Sequence, residues 1–521
     1  MKLERSFWIA ICVLFAIALV GTGMVLYRTR YGTRVGSDAV RYVMTATNLD
    51  QGHGYTRTSG AGEYVPETGF PPIFSVVLAV LRGEDSDLYL TARWLNAILF
   101  GVNIFLVGFL IFRNTASIWP AALSALLVGF MRYQNVIHAS VMSEALFISF
   151  MLITLLCLCW YLDTYRYPLL VITGLLVSVA TLTRFVGFAL MAMGVLGILL
   201  LASTSWKRRV LDSAVFGVLS FTPVLLWFGR NASSGGSMTN RVWAFHPMRP
   251  EVLQGYLTEI STWVVPPVYF FAYRIRLILL AAIGLLGPGV YVIRNLKAEI
   301  LNPHDDRKPF YALPWLLILY LISYLGILII NSTFLDAATT ASAPPRYLSP
   351  LYMALVILIV TTLYWNIGNL KKGKYIGVFA LFLAGILLLL KTQANMDFIL
   401  DPEPNLGYHQ LRISHPKVVE TLEGIDISRH LMTNNPEIIY ALIERPATMW
   451  PIYYDAYRDV YNESFEQNVA SANKIMRAGG VLVVFGHPEA DEMSVLDLLE
   501  VEPFTLFDVA TFYGHPEEIP K

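Results

Sequence analysis

Two carboxylates and two arginines stand apart from the rest of this 521-residue chain. Asp38 follows Gly36-Ser37, and Glu144 follows Ser143; a stretch of helical character comes after each. A carboxylate at the rim of a cleft can take a proton from an attacking hydroxyl. Asp38 is therefore a candidate general base, and Glu144 a second catalytic carboxylate facing it. Both have a plainer reading: Ser37 or Asp38 can cap the following helix, and Glu144 complements the positive end of its own. Arg184, in Thr183-Arg184-Phe185, and Arg346-Tyr347, after Pro344-Pro345, are lone basic residues between apolar runs. A guanidinium offers phosphate a planar fork of donors; as the plainer alternative, it anchors a helix end by reaching towards water. The nine histidines show no metal-ligand spacing, and no cofactor motif is present. A divalent cation bridging a phosphate to Asp38 or Glu144 stays open.

The elements that must position these residues lie in a membrane. The chain is 55% hydrophobic and 15% charged, with mean hydropathy +0.54, whereas soluble domains carry about a quarter charged residues. Its 38 basic and 38 acidic residues balance, so no global basic field points to nucleic acid. Cys12, Cys157 and Cys159 all lie in apolar runs and form no disulfide framework. Apolar runs near the ~20-residue spanning length recur about eleven times, from 7–27 to 375–392. Lysines and arginines collect at alternate ends: Lys2 and Arg5, Arg113, Arg166, Lys207-Arg208-Arg209, Arg294 with Lys297, and Lys371-Lys372-Lys374. The positive-inside rule makes those ends and the N-terminus cytoplasmic. The loop 28–87, the loop 229–265 and everything after about residue 394 then face outward, as do Asp38, Glu144, Arg184 and Arg346. The run Ile73–Leu81 is too short to span and is expected along the interface.

Expected, then, is an all-α polytopic membrane domain over 1–394, with a catalytic outer loop at 28–87. A small extracytoplasmic α/β domain follows over 395–521, reached through a linker marked by Pro402, Pro404 and Gly407. In it, Glu437–Glu444 and Ser464–Arg477 read as helices, and Gly480–Phe485 and Phe504–Tyr513 as one strand each.

A series of motifs resembles a known family. Asp38-Ala-Val-Arg-Tyr42 runs through to Asn48-Leu49-Asp50-Gln51-Gly52-His53-Gly54-Tyr55. Pro71-Pro72, Ser143-Glu144, Leu182-Thr183-Arg184-Phe185-Val186-Gly187 and Arg346-Tyr347 follow in order. Together they are similar to polytopic C-type (GT-C) glycosyltransferases of the protein O-mannosyltransferase and aminoarabinose transferase group. The resemblance implies a cell-membrane enzyme, prokaryotic in type, that moves a sugar from a polyprenyl-phosphate carrier to a lipid, glycan or protein acceptor, with inversion. It implies Asp38 as the base, Arg346 and Arg184 on the donor phosphate and Tyr347 assisting; His53, Tyr55, Glu67 and His138 are expected around the acceptor or sugar. Two departures stand out. The acidic pair common in this loop is a single Asp38 beside Ser37, and Gly69-Phe70 stands where a lysine often precedes the Pro-Pro turn. The rival reading is a transporter or flippase of lipid-linked sugars, which would want a polar path through the membrane.

Overall fold

A computed structural model describes residues 2–83, 87–235, 237–241, 243–245, 247–248, 250–266, 272–301, 310–335, 344–401, 405–455, 460–486 and 495–517. Pro402 and Pro404 lie outside the described residues. Eight described helices are long and apolar enough to cross a membrane, and three shorter apolar ones accompany them: Ile118–Gly129, Tyr167–Thr183 and Phe185–Leu201. Together they fall on the eleven runs read from hydropathy.

The site is carried by a subset of these. Helix α1 spans Lys2–Arg28; α2, Ser37–Asp50; α3, Ile73–Leu81; α4, Leu88–Thr115; α5, Ile118–Gly129; α6, Arg132–His138; and α7, Glu144–Thr164. Next come α8 at Tyr167–Thr183, α9 at Phe188–Leu201, α10 at Trp206–Gly235 and α11 at Pro250–Ser261. Then follow α12 at Tyr273–Gly284, α13 at Val290–Leu301, α14 at Leu313–Phe334, α15 at Pro344–Gly368 and α16 at Gly373–Leu400. Helix α3, with 9 residues, is too short to cross a bilayer, as its length in sequence requires.

Between apolar helices in lipid no hydrophobic drive remains, so close backbone approach and polar contacts set the register. Helices α1 and α4 meet at Gly101, where a Cβ would lie 3.0 Å from the Ala18 carbonyl oxygen. Arg93 of α4 donates to the Leu26 carbonyl at 3.0 Å and to Thr29 Oγ1 at 3.0 Å, pairing a carbonyl at the C-terminal end of α1. Gln134 and Ser349 exchange two bonds, at 3.1 and 3.0 Å, and so fix α15 against α6. Asn96 donates to the Ser140 carbonyl at 2.7 Å and holds α4 to the turn before α7.

The tail forms a five-stranded sheet of mixed direction. Its strands are β3 at Leu431–Thr433, β4 at Thr448–Met449, β7 at Val481–Phe485, β8 at Glu502–Phe507 and β9 at Ala510–Gly514, in the order β4-β3-β7-β9-β8. Short pairs complete the strands: β1 at Thr56–Thr58 with β2 at Tyr64–Pro66, and β5 at Tyr454–Asp455 with β6 at Val460–Tyr461. All five residues of β7 are buried, which explains its unbroken apolar run. The expected single strand over Phe504–Tyr513 is instead the β8–β9 hairpin, turned at Phe507-Asp508-Val509-Ala510. The two helices are present as Pro436–Ile443, capped by Asn435 on the Ile438 amide, and Phe465–Arg477.

This domain is stitched to the loop that carries Asp38. Val35 pairs with Gly407, and Gly407 has φ +63°, with room for no Cβ: one would lie 2.0 Å from the Val35 oxygen. Arg41 of α2 faces Glu437 at 3.8 Å.

His138 belongs to this scaffold. It is 1% exposed, with Nδ1 at 2.7 Å from the Gln134 carbonyl and Nε2 at 3.2 Å from Asn103 Nδ2. The carbonyl requires a proton on Nδ1, leaving Nε2 to accept: a neutral ring. Burial pulls its pKa from 6.5 down to about 4. Below the unfolded value the unfolded chain binds a proton that the folded chain refuses, so stability falls as pH drops from 6.5 towards about 4 and then levels off. The loss at about pH 5 is roughly 2 kcal/mol. Thermal melts in detergent between about pH 7 and 5 should therefore show a flatter pH dependence for His138→Gln than for the native chain. Parallel slopes would remove His138 from this role.

Candidate active site

Asp38 lies in the first turn of α2. Gly36 is the N-cap residue, and no side chain caps the helix. The carboxylate turns instead to Arg346, whose Nη1 sits 2.5 Å from Asp38 Oδ2. The capping alternative is thus not the one adopted. Both side chains keep partial access, at 21% for Asp38 and 24% for Arg346. Arg346 Nη2 also donates to the Tyr347 hydroxyl at 3.1 Å, and the guanidinium lies 5.0 Å from the centre of the Tyr347 ring. Tyr324 of α14 donates to the Tyr347 carbonyl at 2.7 Å, fastening the start of α15. Helix α15 opens on Pro344, whose fixed φ suits a first helical position.

A second pair lies beside the first. Glu144 opens α7, and its Oε1 is 2.9 Å from Arg184 Nη1; the side chains are 1% and 15% exposed. Contact is close, but the group is out of hydrogen-bond alignment. Arg184 Nη1 donates to Ser143 Oγ at 3.1 Å, and Ser143 Oγ is 2.9 Å from the Tyr42 hydroxyl. Tyr42 is four residues past Asp38, on the same face of α2. Burial pushes its phenol well above the usual range, so it stays protonated. The two pairs thus share α2 and the turn before α7.

The remaining candidates separate. Tyr55 and Glu67 hold the loop in shape. The Tyr55 hydroxyl donates to the Phe70 and Pro71 carbonyls, at 3.2 and 3.1 Å. Glu67, 2% exposed, accepts from the Gly69 amide at 2.6 Å and the Phe70 amide at 3.3 Å, while its Oε2 is buried without a partner. These bonds set the turn in which Phe70 packs on Tyr42, ring centres 5.1 Å apart. His53 stacks on Tyr64 at 3.8 Å, exposed, beyond the far end of α2. The 14 residues of that helix place it about 20 Å from Asp38, so the structure does not bring it to the site. Nor does it bring His138, both of whose ring nitrogens are engaged in the helix packing described above.

Sequence reasoning passed over three contributors. Tyr42 stood in the quoted motif without a role. Arg230 grips the loop from α10, donating to the Tyr55 carbonyl at 2.7 Å and the Glu67 carbonyl at 2.8 Å. Its signal was available: it is another lone arginine on the same side as Arg184 and Arg346. Tyr324, inside an apolar span, carried no signal.

Chemically, this arrangement sets two guanidiniums, each beside a carboxylate, in neighbouring pairs. Each carboxylate that could bridge a cation faces an arginine, and the described residues hold no group of three His, Cys, Asp or Glu able to hold a metal. Guanidiniums placed in this way fit a phosphate.

No family model and no curated protein matches the chain. Solved structures do. ArnT from Cupriavidus metallidurans matches in its apo state with TM-score 0.59 and 15% identity, and bound to undecaprenyl phosphate with 0.54 and 14%. Each match covers 98% of this chain and 98% of the other. The oligosaccharyltransferase of Archaeoglobus fulgidus gives 0.48 and 11% over 91% of this chain and 69% of that one. The chain has the GT-C fold. Full-length agreement with ArnT extends that GT-C likeness through the C-terminal sheet as well as the helices.

Removing one member of a buried ion pair leaves an uncompensated charge and costs about 3–5 kcal/mol. Glu144→Ala in this GT-C scaffold should therefore lower stability by about 3 kcal/mol, read as chemical or thermal denaturation in detergent. Glu144→Leu combined with Arg184→Met should recover more than half of that loss. A double variant no more stable than the single one would show that the pair is not coupled.

Proposed function

We propose that the protein is an integral-membrane glycosyltransferase, moving a sugar from a polyprenyl-phosphate carrier to an acceptor at the extracytoplasmic face with inversion. The observation that carries this reading is the Asp38–Arg346 contact at 2.5 Å: a base and a phosphate ligand held together, each with a path to solvent. The undecaprenyl phosphate bound by the ArnT structure supports the class of carrier, and the lysine and arginine bias supports the face.

An incoming donor phosphate competes with Asp38 for the Arg346 guanidinium. Binding of the donor thus frees the carboxylate beside the sugar. The acceptor hydroxyl oxygen attacks the anomeric carbon from the face opposite the phosphate, and its proton passes to an Asp38 oxygen. As the new carbon–oxygen bond forms, the bond to the phosphate oxygen breaks, and the electron pair leaves with the phosphate. Arg346 stabilises that gain of charge, where a preorganised cation counts most; Tyr347 orients the guanidinium. Arg184, already neutralised by Glu144, supports the neighbouring wall. Phosphate is a good leaving group, so one base and one cation suffice.

The first test is transfer by purified protein in detergent, which a flippase, needing two sides, would not perform. Asp38→Asn should keep fold and expression while cutting turnover by about 100-fold or more. Near-native turnover would return Asp38 to a structural role.

Arg346→Lys keeps the charge but loses the planar fork. Its turnover at saturating donor should lie between those of native protein and Arg346→Ala, because the phosphate gains charge in the transition state. Equal rates for Arg and Lys would make Arg346 an anchor and move the phosphate site to Arg184.

A further inference from the structure

A second cationic pocket lies apart from the Asp38–Arg346 pair. It is a cavity of about 220 Å³ between the end of α1, the start of α6 and the end of α16. Its lining holds three arginines, Arg28, Arg34 and Arg132, against one carboxylate, Asp401. Neither Arg346 nor Arg184 is part of it. Arg28 is 5% exposed, and its Nη1 is buried with no hydrogen-bond partner among the described residues. Its nearest carboxylate contact among the described residues, Nη2 to Asp401 Oδ2, is long at 3.9 Å. Phe398 supports the cluster, with Arg28 at 4.2 Å and Arg132 at 5.6 Å from its ring centre. A buried guanidinium with an unsatisfied donor is costly, and arginines on the face assigned outward run against the positive-inside trend. Among the described residues, both facts point to an anion that is not yet accounted for.

An apolar groove lies below the pocket along the same helix. This groove of about 230 Å³ runs between α1 and α5, lined by Ala16, Ile17, Val20, Gly21, Met24, Leu126, Gly129 and Phe130 with no polar surface. Met24 is one turn below Arg28 on α1, and Phe130 is two residues before Arg132. At 1.5 Å per residue, the α1 side of the groove descends about 18 Å from Arg28 to Ala16. An acidic head group above a hydrocarbon chain fits this shape. Tyr27 and Tyr31, 48% and 59% exposed, neighbour the lining residues Arg28 and Gly32 in sequence and are of the type that gathers at membrane interfaces.

We infer that Arg28, Arg34 and Arg132, with the α1–α5 groove, form a binding site for a phosphate-bearing lipid, separate from the proposed donor site. The phosphate sits among the guanidiniums and one chain lies along α1. Arg34 and Thr29 belong to the strap between α1 and α2, so the lipid fastens the segment leading to Asp38. The site does not depend on the glycosyltransferase reading.

The test is binding to the full-length protein in detergent, by native mass spectrometry and by thermal shift. Probes are dioctanoyl phosphatidic acid, dioctanoylglycerol and inorganic phosphate. Phosphatidic acid should bind at least about tenfold more tightly than either fragment. The Arg34→Gln/Arg132→Gln double variant, changed at two exposed positions, should lose about tenfold or more in affinity for it. Val20→Trp, which fills the groove from its rim, should weaken binding similarly. Arg346→Ala should leave it unchanged. Native affinity in both the double variant and Val20→Trp, or loss of binding in Arg346→Ala, would overturn the site. Inorganic phosphate binding as tightly as the lipid would overturn the assignment to a lipid.

Discussion

The geometry of the candidate site depends on one ion pair, Asp38 to Arg346, closed between residues 308 positions apart. An arginine in low-dielectric surroundings needs a counter-charge, and here a carboxylate supplies it. To bring them together, α2 must be held at its beginning and α15 at its start. The first is done by the Val35–Gly407 bridge, which permits only a glycine. The second is done by Gln134 with Ser349, one turn past Arg346, and by Tyr324 on the Tyr347 carbonyl. None of these supports is charged, so none competes with the pair for its partner.

Much of this could be read from residues alone, for a physical reason. Lipid forces each spanning segment to be long and apolar, so the eight long described helices announce themselves, and the three shorter apolar ones with them. Polar residues kept at one set of helix ends stand out against that background, which is how Asp38, Glu144, Arg184 and Arg346 were found. Pairing was not legible, because nothing in a linear sequence says that Asp38 meets Arg346 while Glu144 meets Arg184. His138 looked chemical in sequence and proved to be part of the scaffold; an isolated histidine carries no sign of whether its nitrogens are already engaged. His53 failed differently: it is close to Asp38 in the motif, but a straight helix carries it away. In the tail, the hairpin at residues 502–514 was read as one strand because Phe507-Asp508-Val509-Ala510 contains neither glycine nor proline to mark the turn.

The loop between α1 and α4 is held mainly through its backbone. Arg230 binds the Tyr55 and Glu67 carbonyls, Tyr55 binds those of Phe70 and Pro71, and Glu67 binds two amides. Carbonyl and amide contacts fix the path of a chain while leaving side chains free to face a ligand. The C-terminal domain adds Arg41–Glu437 at the other side of α2. Helix α2 is therefore clamped by the bundle, the loop and the C-terminal sheet region together, which suits the proposed role of Asp38 as a base.

The two cationic sites differ in the way their functions would require. At the proposed donor site each arginine has its own carboxylate, at 2.5 and 2.9 Å. A phosphate must displace an existing partner there, and that partner waits to reclaim the arginine once the reaction ends. Such competition offsets part of the binding energy and favours release, which turnover demands. At the α1–α6–α16 pocket three arginines face one aspartate, whose closest described approach to Arg28 is 3.9 Å. Among the described residues, no second carboxylate lines that pocket to compete with a bound phosphate. An exchanging substrate belongs in the first environment and a resident lipid in the second, and the arrangement of carboxylates separates the two.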